Sequence, residues 1–356
     1  MYLVPKPNVG GLQTTLRNRM LALSRYGVQA EAAFFDRGEG EYIFEEVPHS
    51  FIQSATDFSD KIAKGKYDFL SFIYSPEYLK HVPESYSGKI IYEIRGWNEK
   101  IADYVRNLDQ YGKVDGIVCI AEYLKATVNR HLKREIPVFV DGNTVYSKFR
   151  FIKPENRRWK DCPTPRSNHK VIAYIGRVER SKNWREFVRI CAKLRKTEKI
   201  EPWIICNRRT KKELSRLIRK CKQKGLADVA KVIVHIPNHR MPEVYSVIRS
   251  SGGCILSTST REGLGNHILE PMACGVPIVS SNVPGKNEII THRRNGMLYK
   301  LGNTNRAVRY VKEVMRNGQL RRKLKNNGLS EIRRNYNQRK YVTGYKKILK
   351  AIERGR

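Results

Sequence analysis

Ser257-Thr-Ser-Thr-Arg-Glu262-Gly-Leu-Gly265-Asn-His-Ile-Leu-Glu270-Pro-Met-Ala-Cys-Gly275 is the stretch on which the reading of this chain turns. The apolar run Gly253 to Leu256 leads into it as a buried strand, and Val276 to Ser280 leaves it as another. Between them a glycine-bearing turn opens a short helix that closes at Gly275. A helix N-terminus offers backbone N–H groups and the positive end of the helix dipole, which suits an anion. Glu262 and Glu270 flank the turn with seven residues between them. Carboxylates accept hydrogen bonds from hydroxyls, so the stretch suits a ligand that is both phosphorylated and hydroxyl-rich.

Upstream, Lys170 to Ile175 reads as a strand running into Gly176-Arg177-Val-Glu-Arg-Ser-Lys182-Asn-Trp, and a helix follows with Phe187, Ile190, Cys191 and Leu194 on one face. Strand, glycine turn, two cations and helix make a second anion cradle. Arg177 and Lys182 either neutralise a diphosphate there or are plain surface charge. Strand-helix units at 203–225 and 231–250 and a strand-loop at 276–286 complete this half.

At the other end of the chain, Tyr2 to Val4 is a strand, and Gly10-Gly11 opens a helix marked by Leu12, Leu16, Met20 and Leu23. Adjacent glycines there let a ligand approach the backbone, or make only a turn. Further strands are expected at Ala30–Phe35, Phe69–Tyr74, Lys89–Ile94, Gly116–Ile120 and Pro137–Val140, with helices around 57–65, 99–110 and 122–133. Such alternation predicts a parallel sheet covered on both faces, with ligands beyond the carboxyl ends of its strands. Arg95 follows the fourth strand and either meets a phosphate or sugar hydroxyl or pairs with a nearby acid.

The 356 residues predict two domains. Residues 151–169 lack periodicity, contain three prolines, and read as a linker between domains at 1–150 and 170–335. The last stretch, 336–356, reads as a basic terminal helix. No apolar run reaches the ~18 residues of a membrane-spanning helix, and no signal peptide is expected. Seven scattered cysteines without a C-x-x-C pair favour reduced thiols in a cytoplasmic protein. Net charge is +35, and it is unevenly spread. Residues 1–150 hold 20 Lys/Arg against 19 Asp/Glu, whereas residues 151–356 hold 49 against 15. That asymmetry points to an anionic membrane surface or acidic polymer, or to no partner at all. No recognition motif accompanies it, so no specific nucleic acid is expected.

Glu262-x7-Glu270 with Gly263 and Gly265, Gly176-Arg177 with Lys182, and Gly10-Gly11 together resemble retaining glycosyltransferases of family 4, over nearly the whole chain and in order. The resemblance implies the GT-B architecture: an α/β chain of two Rossmann-like domains with parallel sheets facing across a cleft, its C-terminal helix crossing back to the first domain. It implies transfer of a hexose-type sugar from a nucleotide-diphosphate sugar to a glycan, lipid-linked or cell-surface acceptor, with anomeric configuration retained. Arg177 and Lys182 would bind the donor diphosphate, Glu262 the moving sugar and Glu270 the ribose. The backbone of Gly263, Leu264, Gly265, Asn266 and His267 would support sugar and phosphate, and Gly10 and Gly11 would make room for the diphosphate. Relatives often carry a histidine where Arg95-Gly96 stands here. With no Asp-x-Asp motif, neither metal nor cofactor is expected. A nucleotide-sugar 2-epimerase, a phosphorylase, or a basic binding protein without catalysis are the competing readings.

Overall fold

The computed structural model describes residues 1–206 and 211–355. Residues 207–210, within the strand-helix unit expected at 203–225, and Arg356, at the end of the expected terminal helix, lie outside the described residues. The chain divides by packing into two units, Met1–Thr144 with Gln338–Arg356, and Val145–Asn337.

The first unit is built on a seven-stranded parallel sheet. Its strands are β1 (Tyr2–Val4), β2 (Ala32–Phe34), β3 (His49–Phe51), β4 (Phe69–Ile73), β5 (Lys89–Ile94), β6 (Gly116–Cys119) and β7 (Val138–Val140), in the order β3-β2-β1-β4-β5-β6-β7. The helices α1 (Gly11–Arg25), α2 (Ala55–Gly65), α3 (Glu99–Arg106) and α4 (Glu122–Asn129) follow β1, β3, β5 and β6. The second unit carries a six-stranded parallel sheet of β8 (Lys170–Ile175), β9 (Ile200–Cys206), β10 (Lys231–Val234), β11 (Cys254–Ser257), β12 (Ile278–Asn282) and β13 (Met297–Lys300), in the order β10-β9-β8-β11-β12-β13. Around it lie α5 (Trp184–Arg195), α6 (Lys211–Gln223), α7 (Met241–Ser250), α8 (Asn266–Ala273), α9 (Thr304–Arg316) and α10 (Gly318–Asn335); α11 (Gln338–Glu353) packs on the first unit.

Central strands such as β1, β6 and β11 are buried at every position because helices cover both faces of a parallel sheet. That is why they are legible as unbroken apolar runs. The edge strands β3 and β13 are not: each has an exposed or half-exposed position, and its sequence does not stand out from a loop.

In each sheet the strand order reverses at the first strand, so β1 lies between β2 and β4, and β8 between β9 and β11. At such a reversal the loops leaving the two neighbouring strands diverge and leave a crevice. In the second unit those loops are the turn after β8 and the turn after β11, the two cradles singled out by sequence.

Two expectations are modified. Residues 151–169 lie within the second unit rather than between two domains. Their backbone is tied to it by Ile152 N–H on Ser246 Oγ (2.9 Å), Trp159 N–H on Glu243 (3.0 Å) and Arg166 N–H on Glu201 (2.7 Å). Prolines removed the periodicity without removing the contacts. The terminal helix does return to the first unit, where Tyr341, Val342 and Tyr345 join the core with Leu16, Met20 and Leu23 of α1. It carries little of the charge. Residues 338–356 hold seven Lys/Arg and one Glu, and Val145–Asn337 keeps 44 Lys/Arg against 14 acids.

Candidate active site

The turn after β8 ends in a 3-10 turn, Arg180–Lys182, and Asn183 then takes a left-handed conformation (φ 50°) before α5 begins. The turn after β11 is laced to it. Thr260 N–H donates to Ser181 O (2.8 Å), and Thr258 Oγ1 donates to the carbonyls of Asn183 (3.0 Å) and Lys182 (3.2 Å). This lacing aligns two side chains eighty residues apart. Lys182 Nζ donates to both carboxylate oxygens of Glu262, at 2.7 and 2.9 Å.

Glu262 is almost enclosed, and burial alone would push its carboxyl upward. His267, Lys182 and Lys286 outweigh burial and hold it at about 2, so it is a carboxylate throughout the physiological range. His267 opens α8 with Nε2 2.9 Å from Ser257 Oγ and 3.8 Å from Glu262. Burial lowers it to about 4, against the pull of Glu262, so its imidazole is neutral at pH 7. The sequence assigned this residue only a backbone role; its ring fills the space beside Gly265, where an added Cβ would lie 2.7 Å from the imidazole.

Glu270 sits in α8, buried, with each oxygen met by a donor from the same unit: Tyr245 OH at 3.1 Å and Asn238 Nδ2 at 3.2 Å. Gly263, Leu264, Gly265 and Asn266 form the loop between the two glutamates and the start of α8, which has no side-chain cap. The loop after β12 closes on this loop's backbone. Gly285 (φ 82°) approaches so near that a Cβ would fall 2.0 Å from the carbonyl oxygen of Gly263. Behind it lies Lys286, fully buried.

Of the remaining expected residues, Arg177 stands in the turn after β8, and Arg95, Gly10 and Gly11 belong to the first unit. Arg177 is half exposed and turns to Glu179 (3.1 Å), while its carbonyl accepts from Tyr174 OH (2.8 Å). Arg95 takes the acid-pairing alternative. It is buried in the first unit, bonded to Glu93 (Nε 2.8 Å) and to the carbonyl of Asp141 (2.9 Å). Its guanidinium is thus committed to the protein. Gly10 and Gly11 open α1 of the first unit, and a Cβ at Gly11 would meet nothing within 4 Å. Packing therefore does not require glycine at that position.

Lys286, Tyr245 and Asn238 were not found by sequence, and Ser257 and Thr258 only as the start of the quoted stretch, without a role. The signal available for Lys286 was its place in a Pro-Gly-Lys turn directly after β12, the strand beside β11.

Residues 156–331 match the family model described as glycosyl transferases group 1. An uncharacterized glycosyltransferase of Methanocaldococcus jannaschii is 30% identical over 107 residues, covering 30% of this chain and 27% of that protein. A lipopolysaccharide core biosynthesis glycosyltransferase of Rhizobium meliloti is 23% identical over 72% of this chain and 68% of its own. The matches span 27% and 31% of the length of the first two curated relatives. Among solved structures, Anabaena HepE in complex with UDP and glucose superposes with TM-score 0.82 at 14% identity, covering 98% of each chain. The lipopolysaccharide outer core galactosyltransferase WaaB does so with TM-score 0.71 at 18% identity, over 99% of each chain. The expected fold class, two Rossmann-like parallel-sheet units of the GT-B type, is the one found.

Proposed function

We propose, for a chain whose residues 156–331 belong to the glycosyl transferases group 1 family, a retaining glycosyltransferase that moves a hexose-type sugar from a nucleotide-diphosphate sugar to a glycan or lipid-linked acceptor. The observation that carries this reading is the Lys182–Glu262 pair at the β8/β11 crevice. An ammonium group has three N–H donors. Lys182 spends two on Glu262, and the third is left for a phosphate oxygen. The Glu262 carboxylate has further acceptor capacity on each oxygen, enough for two sugar hydroxyls. Glu270, held by Tyr245 and Asn238, has the chemistry to accept from ribose hydroxyls.

In the reaction proposed, the bond from the anomeric carbon to the phosphate oxygen breaks while a bond to the acceptor oxygen forms on the same face. The acceptor's proton passes to the departing phosphate oxygen, so the products are the glycosylated acceptor and a nucleoside diphosphate. Lys182 and the N–H groups at the start of α8 stabilise the charge that grows on the leaving group. These donors support a metal-independent departure, which chelation tests: activity that EDTA abolishes and a divalent ion restores would sink it. Arg177, if it leaves Glu179 for the diphosphate, adds a second cation.

The relatives' names support an envelope-polysaccharide acceptor, since those proteins are named for lipopolysaccharide core synthesis. No helix among the described residues is long and apolar enough to cross a membrane. The basic surplus of the second unit suits peripheral attachment to an anionic membrane surface, on its cytoplasmic side.

A panel of UDP-, GDP-, ADP- and dTDP-sugars, scored for binding and for slow hydrolysis, is the decisive experiment. UDP-glucose comes first, because Anabaena HepE has been solved with it. One of the four is expected to bind, and Lys182→Ala is expected to abolish hydrolysis. Equal hydrolysis by wild type and variant would sink the reading.

A further inference from the structure

Lys286 stands in the turn that leaves β12, is 0% exposed, and has no part above beyond helping to keep Glu262 ionised. Its Nζ donates to three neutral acceptors: Ser281 Oγ at 2.7 Å, Ser259 O at 3.1 Å and Ser257 O at 3.4 Å. No carboxylate among the described residues forms an ion pair with it. A buried ammonium with no counter-charge in contact is costly, because neutral acceptors repay only part of its lost hydration.

The position is as unusual as the charge. Ser257 and Ser259 belong to the stretch that leads to Glu262, and Gly285, the residue before Lys286, packs on the carbonyls of Glu262 and Gly263. Lys286 therefore holds from beneath the same turn that Lys182 meets from the side. The charged and titratable groups that face it are Glu262 from that turn, Lys182 from the turn after β8 and Glu186 from α5, with His267 of α8 beside Glu262.

We propose that Lys286 is a proton-linked positioning residue: its ammonium form braces the Ser257–Gly263 turn, and occupancy of that turn by a nucleoside diphosphate draws a proton onto Nζ. This rests on the donor reading given above. The step is simple in its balance: the Nζ lone pair takes a proton from solvent, and no bond to carbon changes. Both forms have partners, since the free amine can accept from the Ser281 hydroxyl. Burial pushes Lys286 down to about 7, with Glu262 pulling it up and Lys182 pushing it further down. The two forms are thus balanced near neutral pH, and an anion arriving beside Lys182 tips the balance toward the ammonium.

Calorimetric titration of the full chain at pH 8 with UDP, GDP, ADP and dTDP, each in two buffers of different ionisation enthalpy, counts the protons. At that pH the terminal phosphate is already ionised, and His267 is far from its range. Wild type is expected to take up roughly half a proton or more per bound nucleotide, and Lys286→Met, which preserves volume, to lose that uptake. Binding with no uptake, or with equal uptake in the two proteins, overturns the inference and leaves the donor reading standing. If none of the four binds, the donor reading falls and takes the inference with it.

A ligand-free measurement is independent of that outcome. The folded pKa is below the unfolded value, so the unfolded chain holds a proton that the folded chain has released between about pH 7 and 10.5. Wild-type stability should rise across that interval relative to Lys286→Met. Parallel stability curves would overturn the inference as well.

Discussion

Each unit carries a buried group of charges near the carboxyl ends of its strands, and the two groups are built differently. In the first unit Arg19 of α1 donates to both oxygens of Glu93 of β5, at 2.8 and 3.0 Å, and lies 3.1 Å from Asp141 beyond β7. Arg95 bonds to the same glutamate, Ser71 Oγ adds a donor at 2.8 Å, and Tyr341 OH of α11 accepts from Arg19 Nε at 2.6 Å. Two cations meet two anions, and the guanidinium of Arg19 also lies over the rings of Tyr2, Tyr341 and Tyr345. In the second unit Lys182 is paired with Glu262 beside a neutral His267, while Lys286 faces Glu262 and Glu186 with neither carboxylate in contact. The first group is electrically closed and clamps α11 to the sheet. The second keeps a donor of Lys182 unspent and a lysine with no carboxylate in contact, which is what an anionic ligand requires. Burial of charge is therefore not the sign of a site; unspent donors are.

The largest effect that would test this contrast is on stability. Glu93→Ala leaves two buried guanidiniums facing only Asp141, and breaking a buried pair in this way costs about 3–5 kcal/mol. Urea unfolding should show that loss, together with early proteolysis of α11. A variant as stable as wild type would mean the cluster does not hold the unit together.

Lys182→Ala and Glu262→Ala come next, and their effect should fall on chemistry. Loss of about 10²–10³-fold in sugar transfer is expected from removing a charge-stabilising donor or the carboxylate that positions it, with a smaller loss of stability than Glu93→Ala gives. If either variant loses as much stability as Glu93→Ala, the distinction between the two clusters fails. Glu270→Gln should weaken nucleotide binding by about 10- to 100-fold, the worth of one charge-assisted hydrogen bond, without altering the rate at saturating donor.

Acid offers a smaller test. Glu93 and Glu262 are each held at about 2, below an ordinary value of 4.5. Depressed carboxyls contribute stability that is complete above about pH 4.5 and is lost as pH falls toward 2. Glu262→Gln should therefore show a shallower fall in melting temperature between pH 5 and 3 than wild type does. The smallest expected effect is at the surface. Anionic vesicles should retain the protein at low salt and release it near 0.5 M, because exposed charges are screened over a few ångströms there; retention that ignores salt would remove the electrostatic explanation.

Glu262-x7-Glu270, the Gly176-to-Lys182 turn and Gly10-Gly11 were readable from the chain alone. Turn and helix geometry are local, so the spacing of glycines and carboxylates already says what a strand-turn-helix unit can present. Central strands were equally plain, since burial on both faces writes an unbroken apolar run. The terminal helix was foreseen on the first unit as a basic helix, and it packs there, while most of the surplus charge stays with the second unit. Tertiary structure decided the rest. Arg95 and Glu93 are two residues apart, yet what makes Arg95 a structural residue is Arg19 and Asp141, brought in by α1 and by the end of β7. Lys286 reads as one more lysine in a basic chain. It became part of the site because β12 pairs in parallel with β11, which sets its turn against the turn of Glu262. A residue's type and spacing limit what it can do, but the energy of its charge depends on which groups surround it. Those groups are chosen by strand order, which no local pattern encodes.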